Sequence, residues 1–354
     1  MSALSLEIRS RRVEGVNGLS MHCLEAGEAG RPCVLLLHGF PELSYSWRKV
    51  MPALAAAGFY VMAPDQRGYG RTTGWDGGYD ADLRPYRMLN LVQDCLALLS
   101  ELKIARTHVV GHDFGSPLAA YCALTRPDVF RSVVLMSAPF GGPPAKPADT
   151  KVLDDLAKKG RKHYHWYYST READADMRNC PQGTHAFLRA YYHYKSADWE
   201  GNKPHRLESW SAAELAKLPT YYVMRLEENM AQTVALYMPA GGAKWLTDAE
   251  LSVYADAFRE NGFQGGLQWY RCRTTPGQSD DVMALAGRSI DVPSMFIAGA
   301  ADWGVYQKPG DFERMQGTAC TQMRGCHLVP GAGHWVQQEQ PEKTAALLLD
   351  FLRY

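Results

Sequence analysis

The sequence of 354 residues has no excess charge of either sign, since Lys plus Arg and Asp plus Glu both number 38. A surface without a basic bias offers no electrostatic footprint for nucleic acid or an anionic membrane, so neither is expected as a partner. No apolar run approaches the ~18–20 residues that a membrane span needs, and Met1 to Arg12 are too polar for a signal peptide. The eight cysteines are scattered and none form C-x-x-C. That usage favours reduced, mostly buried thiols and a cytoplasmic location, with a Cys320–Cys326 pairing as the alternative. Zinc-ligand spacing, a phosphate-binding loop and a dinucleotide fingerprint are all missing, so no metal and no cofactor is expected. The serine elbow G-x-S-x-G is missing too, as are internal repeats and low-complexity tracts.

What is present is a hydrophobic content of 46% and a β/α rhythm. Such a chain can bury a large core in one big domain with a substantial insertion, or in two domains. Cys33–His38, Phe59–Pro64, Thr107–Gly111 and Ser132–Ser137 are short apolar runs of the buried parallel-strand kind. Between them, Trp47, Val50, Met51 and Leu54 lie at helical spacing before Gly58, and Met88, Leu91, Cys95, Leu98 and Leu102 repeat at three and four. Ser116–Leu124 also predicts a helix. From Gly141 to about Ala286 the rhythm gives way to Tyr, Trp, Lys and polar helix formers, with Gly141-Gly-Pro-Pro144 as a hinge. Strands then return at Val292–Ala298 and Met323–Val329, and an apolar helix, Ala345–Leu352, closes the chain. The pattern predicts a doubly wound, mostly parallel sheet formed by 1–140 and 287–354, with 141–286 inserted as a helical cap.

Gly111-His-Asp-Phe-Gly115 directly follows a predicted strand and precedes a predicted helix. A nucleophile elbow needs that context, with small residues two positions either side of the exposed side chain. The central residue is Asp113. A carboxylate with an ordinary pKa of about 3.9 is already ionised at neutral pH and needs no base in order to attack. Its useful target is a saturated carbon bearing a leaving group, which leaves an alkyl ester on the protein. The alternative is that Asp113 only caps the following helix. Hydrolysing such an ester requires a base, and the base an acid to orient it. Asp302, after the Ser294–Ala298 strand, and His334, in Gly331-Ala-Gly-His-Trp335, stand in the right chain order, against readings as a loop carboxylate and a surface histidine. His38-Gly-Phe-Pro-Glu42, at the end of the first buried strand, is placed to bring a backbone N–H beside the elbow, and its Phe40–Pro41 bond suits a cis turn.

Over essentially its whole length the chain resembles the epoxide hydrolases of the α/β-hydrolase superfamily. The resemblance rests on His38–Glu42, Asp65-Gln-Arg-Gly-Tyr-Gly70, Gly111–Gly115 and Gly333-His-Trp335 in that family's order. It implies an α/β-hydrolase fold, Asp113 as nucleophile, Asp302 as acid, His334 as base, and an oxyanion hole from the N–H groups of Phe40 and Phe114. Epoxide opening also needs a proton donor to the leaving alkoxide, and tyrosine suits because it is protonated at pH 7. The family's two cap tyrosines match Tyr270, in Gly266-Leu-Gln-Trp-Tyr-Arg271, and Tyr164, with Tyr167, Tyr168, Tyr191, Tyr192 and Tyr194 as rivals for the second. His38, Pro41, His165 and Trp166 are expected to contact the substrate, a small epoxide. Against the pattern, His165-Trp166 is similar to the halide-holding pair of haloacetate dehalogenases, which share the Asp nucleophile. Those enzymes place arginines where this chain has Phe114 and Pro117, and haloalkane dehalogenases place a Trp at Phe114. A dehalogenase is thus the alternative reading, and a non-catalytic ligand-binding member of the fold the third.

Overall fold

The computed structural model describes residues 7–147 and 149–353; the start of the polar stretch Met1 to Arg12 lies outside them. The chain opens with strands β1 (Ile8–Val16), β2 (Leu19–Ala26), β3 (Cys33–Leu37), β4 (Tyr60–Pro64), β5 (Thr107–His112) and β6 (Phe130–Met136). A two-stranded antiparallel ribbon, β7 (Arg161–His163) with β8 (Val223–Arg225), falls within 141–286, and β9 (Ser294–Gly299) and β10 (Met323–Val329) follow. Eight of these form one sheet in the order β1-β2-β4-β3-β5-β6-β9-β10. The pairs from β4 to β10 are parallel, and β1 and β2 add an antiparallel edge.

Alternation along β3 shows how the sheet is covered on both faces. Cys33, Leu35 and Leu37 pack with Leu91, Leu98 and Leu118 from the helices Met88–Glu101 and Gly115–Thr125. Val34 and Leu36 pack on the other face with Met51 and Leu54 of Met51–Ala56 and with Ala345 and Leu348 of Pro341–Leu352. A strand buried on both sides has no polar face to show, which is why it reads as an unbroken apolar run.

Two expectations need correction. The helix expected from Trp47 onward is split into a 3₁₀ turn, Ser44–Trp47, and an α-helix, Met51–Ala56. Pro52 has no N–H to continue a ladder from the preceding turn, so the α-helix restarts around it. The antiparallel strands β1, at the sheet edge, and β2 beside it were not expected at all. Arg9, Ser10, Arg11 and Arg12 stay exposed, so β1 lacks strict alternation, and charge on an edge is how sheets avoid pairing with other chains. All eight cysteines are free, Cys320 and Cys326 included.

The segment 141–286 is built mainly of helices, including Tyr164–Tyr168, Gly183–Lys195, Asp248–Asn261 and Gln264–Thr274. None of the helices among the described residues is long and apolar enough to cross a membrane.

Candidate active site

The sheet changes winding direction between β3 and β5: β4 lies beyond β3 on one side, and β6 beyond β5 on the other. In an open α/β sheet the carboxyl ends of two such strands enclose a crevice. Here Leu37 is in register with Gly111, so the loops leaving β3 and β5 emerge side by side.

Asp113 lies between β5 and the helix Gly115–Thr125 with φ +53°, a left-handed conformation rare outside glycine. The turn is tight enough that a Cβ on Gly111 would lie 1.9 Å from the Gly115 carbonyl oxygen, and one on Gly115 2.2 Å from that of Leu37. This is the strained elbow that the Gly-x-Asp-x-Gly spacing predicts. The Phe40 N–H donates to Asp113 Oδ1 at 2.9 Å, and Phe114 occupies the N-cap of the helix. The Phe40–Pro41 bond is cis.

Asp302 caps the short turn Trp303–Val305, its Oδ1 accepting the Gly304 N–H at 2.7 Å. The same carboxylate lies 3.1 and 3.3 Å from His334 Nδ1. A proton on Nδ1 facing a carboxylate leaves Nε2 as the lone-pair nitrogen of the neutral ring. Nε2 sits 3.2 Å from Asp113 Oδ2 yet is buried without an aligned hydrogen-bond partner. Burial alone would push the Asp113 carboxyl up; the close approach of His334, with Lys195 and His112 behind it, holds it well below the usual range. Asp302 is likewise held low, by His334 against its own burial.

Tyr164 opens the helix Tyr164–Tyr168, Tyr270 lies in Gln264–Thr274, and their ring centroids are 5.9 Å apart. Both line a cavity of about 690 Å³ together with Asp113, Phe114, His165 and Trp166. Burial, then the Asp113 charge, raise both phenols well above their ordinary value, so both keep their protons at neutral pH. The rival tyrosines are engaged elsewhere: Tyr167 donates to Asp176, Tyr168 to Tyr191, Tyr192 to the Pro41 carbonyl, and Tyr194 pairs with Thr220. None of them lines the cavity.

His38 and Pro41 do not reach it either. His38 is fully buried, its Nδ1 2.9 Å from the Gly39 carbonyl oxygen and its Nε2 accepting the Gln66 N–H at 3.2 Å. The loop after β3 turns these two side chains inward and offers its backbone to the elbow.

Several groups around the site were not singled out from sequence. Glu42 and His112 form a fully buried pair at 2.6 Å, and His112 Nε2 lies 2.7 Å from the His334 carbonyl oxygen. Both imidazole nitrogens therefore face acceptors, the arrangement of an imidazolium. Against its burial, Glu42 accordingly raises the His112 pKa. Both residues stood inside quoted motifs, but only the β3–β5 register reveals that they meet. Lys195 is buried with its ammonium over the rings of Tyr191, Tyr221, Tyr222 and Trp335 at 4.9–5.7 Å, a cation–π cage. Gln307 accepts from the Tyr164 hydroxyl at 3.1 Å. Among the described residues no cluster of side chains could hold a metal ion.

Residues 32–341 match the family model described as the alpha/beta hydrolase fold. Epoxide hydrolase A of Mycobacterium tuberculosis is 34% identical over 346 residues, 97% of each chain. An epoxide hydrolase of Caballeronia sordidicola is 32% identical over 95% of this chain and 92% of its own. Among solved structures, an epoxide hydrolase from an endophytic Streptomyces superposes with a TM-score of 0.81 at 32% identity, covering 99% of this chain and 96% of its own. Potato epoxide hydrolase I superposes at 0.77 with 27% identity, over 98% and 99%.

Proposed function

The chain belongs to the epoxide hydrolases of the α/β-hydrolase fold family, and from that premise we propose that it converts an epoxide to a vicinal diol in two steps on Asp113. In the first, an Asp113 carboxylate oxygen bonds to an oxirane carbon. The carbon–oxygen bond of the ring breaks, and the released oxygen takes a proton from Tyr164 or Tyr270. In the second, His334 Nε2 removes a proton from water as the water oxygen bonds to the ester carbonyl carbon. The oxyanion forms on the oxygen held by the Phe40 N–H, with the Phe114 N–H as second donor. Collapse passes the proton of the added hydroxyl to the departing alkoxide, releasing the diol and restoring the Asp113 carboxylate, while the proton on His334 goes to the phenolate left by the first step.

The observation that carries the reading is one arrangement: an ionised carboxylate facing two buried, protonated phenols across a single cavity. In this scheme 141–286 serves as the cap, supplying both phenols and excluding water, and the free thiols suit a cytoplasmic setting. The dehalogenase reading is favoured by His165 and Trp166 on the cavity wall, but a halide leaves without a proton, and the wall beside Asp113 is the apolar pair Phe114 and Pro117. A panel of styrene oxide, a fatty-acid epoxide, fluoroacetate and a bromoalkane separates the two. Diol without halide release is expected; halide release without diol would overturn the proposal.

A further inference from the structure

His334 does not stand on a free loop. Its N–H donates to the Lys195 carbonyl oxygen at 2.9 Å, and its own carbonyl oxygen accepts from His112 Nε2 and the Ser137 hydroxyl at 2.7 and 3.1 Å. The N–H groups on either side of it meet a single side chain. Gly333 and Trp335 donate to Glu339 Oε2 and Oε1, each at 2.9 Å. Glu339 ends the short helix Val336–Glu339, so the loop closes back on itself through this carboxylate.

The same carboxylate reaches a second element. Oε2 also accepts the Ala197 N–H at 2.8 Å, just past the helix Gly183–Lys195 of the inserted segment 141–286. Trp335 Nε1 donates to the Tyr192 carbonyl oxygen of that helix at 2.9 Å. A Cβ on Gly333 would lie 2.5 Å from the Ser196 carbonyl carbon and 2.6 Å from Ala197 N, so the two backbones touch directly. On the far side, a Cβ on Gly299 would overlap the carbonyl oxygens of Ala332 and Gly333, which fixes the loop against the end of β9. His334 is thus carried on a joint between the sheet and the inserted segment, and Glu339 bonds both halves of that joint. The carboxylate is kept at a cost, because burial raises it to about 7 against the pull of its three N–H donors. None of those partners is a cation. Such an outlay suits precision more than filling, since a general base must be held to within about 0.5 Å and 10–20°.

We propose that Glu339 is a positioning residue for the reaction. By holding the N–H groups on both sides of His334 together with that of Ala197, it fixes the His334 ring for ester hydrolysis and makes that step depend on the seating of the inserted segment. The inference rests on the two-step reading and concerns its second step alone. Its test is rapid-quench with styrene oxide at about pH 8, following the ester on Asp113 by intact-protein mass, with both rates expressed per active site. Glu339→Gln keeps the shape but turns an NH₂ group toward one of the three donors. It should slow ester hydrolysis at least about tenfold, within the ~10²-fold cost of a misplacement near 1 Å, while ester formation stays within about twofold. The ester should therefore accumulate. A general loosening of the fold would instead slow both steps together. Ala197→Pro deletes only the N–H of the inserted segment, and Ser196 before it, at φ −86° and ψ 173°, already has the extended shape that precedes proline. It should act in the same direction by a smaller factor, and it decides by the same criterion should Glu339→Gln not fold. Hydrolysis at the wild-type rate, or an equal loss in both steps, would overturn the proposal. The NMR resonance of the His334 Nδ1 proton facing Asp302 needs no substrate. If the wild type forms no ester with any epoxide, the two-step reading alone has failed and that resonance decides: displaced in Glu339→Gln it supports the positioning role, and unmoved it overturns it.

Discussion

Tyr164 and Tyr270 do different things at rest. The Tyr164 hydroxyl donates to Gln307 and must turn away to reach an epoxide, while Tyr270 has no such protein acceptor among the described residues. Tyr270→Phe is therefore expected to slow ester formation more, by on the order of 10²-fold, the loss typical of one oxyanion donor. Tyr164→Phe should cost less and the double variant more than either. Rapid-quench measurement of the covalent species decides it; a silent Tyr270→Phe would remove that residue from its role. In the proposed scheme His334 acts in the other step, because an ionised Asp113 needs no base. His334→Gln should react once and stop, leaving intact-protein mass higher by one whole epoxide on the peptide containing Asp113. A haloalkane would add its mass less the hydrogen halide. Continued turnover with no adduct would sink the two-step scheme. The residues of these two predictions were legible in sequence because each stands in a Gly-flanked or aromatic motif. Lys195 and Gln307 were not, since a lone Lys or Gln has no signature until the fold places it beside Asp113 or a phenol.

Between residue and molecule, the elements decide what the elbow permits. The double-faced strands β3 to β6 were readable to within two residues because burial on both sides imposes an apolar run. Edge strand β1 was not, because one exposed side and four consecutive exposed residues erase the period. The short ribbon β7–β8 pairs residues more than fifty positions apart, such as Arg161 with Arg225, a contact that no local pattern announces. The β3–β5 register was also invisible, yet it brings the loop after β3 hard against Asp113: a Cβ on Gly39 would lie 2.4 Å from both Asp113 Cβ and Oδ1. Gly39→Ala should therefore displace the Asp113 carboxylate from the Phe40 N–H and, on the proposed scheme, abolish most ester formation. Its loss of stability should be about 1–3 kcal/mol, as for other overpacked sites. Gly317→Ala, outside the left-handed region and with nothing within 4 Å of the new Cβ, controls for glycine loss alone and should leave ester formation intact. Equal activity of the two variants would show that the close approach does not matter.

At the scale of the whole molecule, the buried titratable groups fix how stability follows pH. His108 and His163 are both held neutral, their pKa values lowered by burial and then by nearby cations to about 4 and about 3. In the unfolded chain both return to about 6.5. At these sites the unfolded state binds more protons than the folded one between these limits, so their contribution to stability falls as pH drops below about 6.5, until the folded histidines titrate. Buried His38 and His165 are lowered likewise, and together the four histidines outnumber Glu339, which burial raises to about 7 and which acts in the opposite sense. The carboxylates act in a lower window. Asp65, Asp113 and Asp302 are held below their ordinary values, so their contribution is complete above about pH 4 and is lost only under stronger acid. Melting temperature should therefore decline in two stages, a histidine stage between about pH 6.5 and 4 and a carboxylate stage beneath it. His163 offers the cleaner probe, because it lies in the segment 141–286, and its Nδ1 accepts the His165 N–H at 3.3 Å, a role an Asn side-chain oxygen can fill. His163→Asn should flatten the first stage and leave the second in place, whatever it does to the melting temperature at pH 7. Thermal melts of both proteins across pH 4 to 8 provide the measurement. An unchanged slope above pH 4 in the variant would show that His163 is not buried neutral, and would remove it from this account of acid sensitivity.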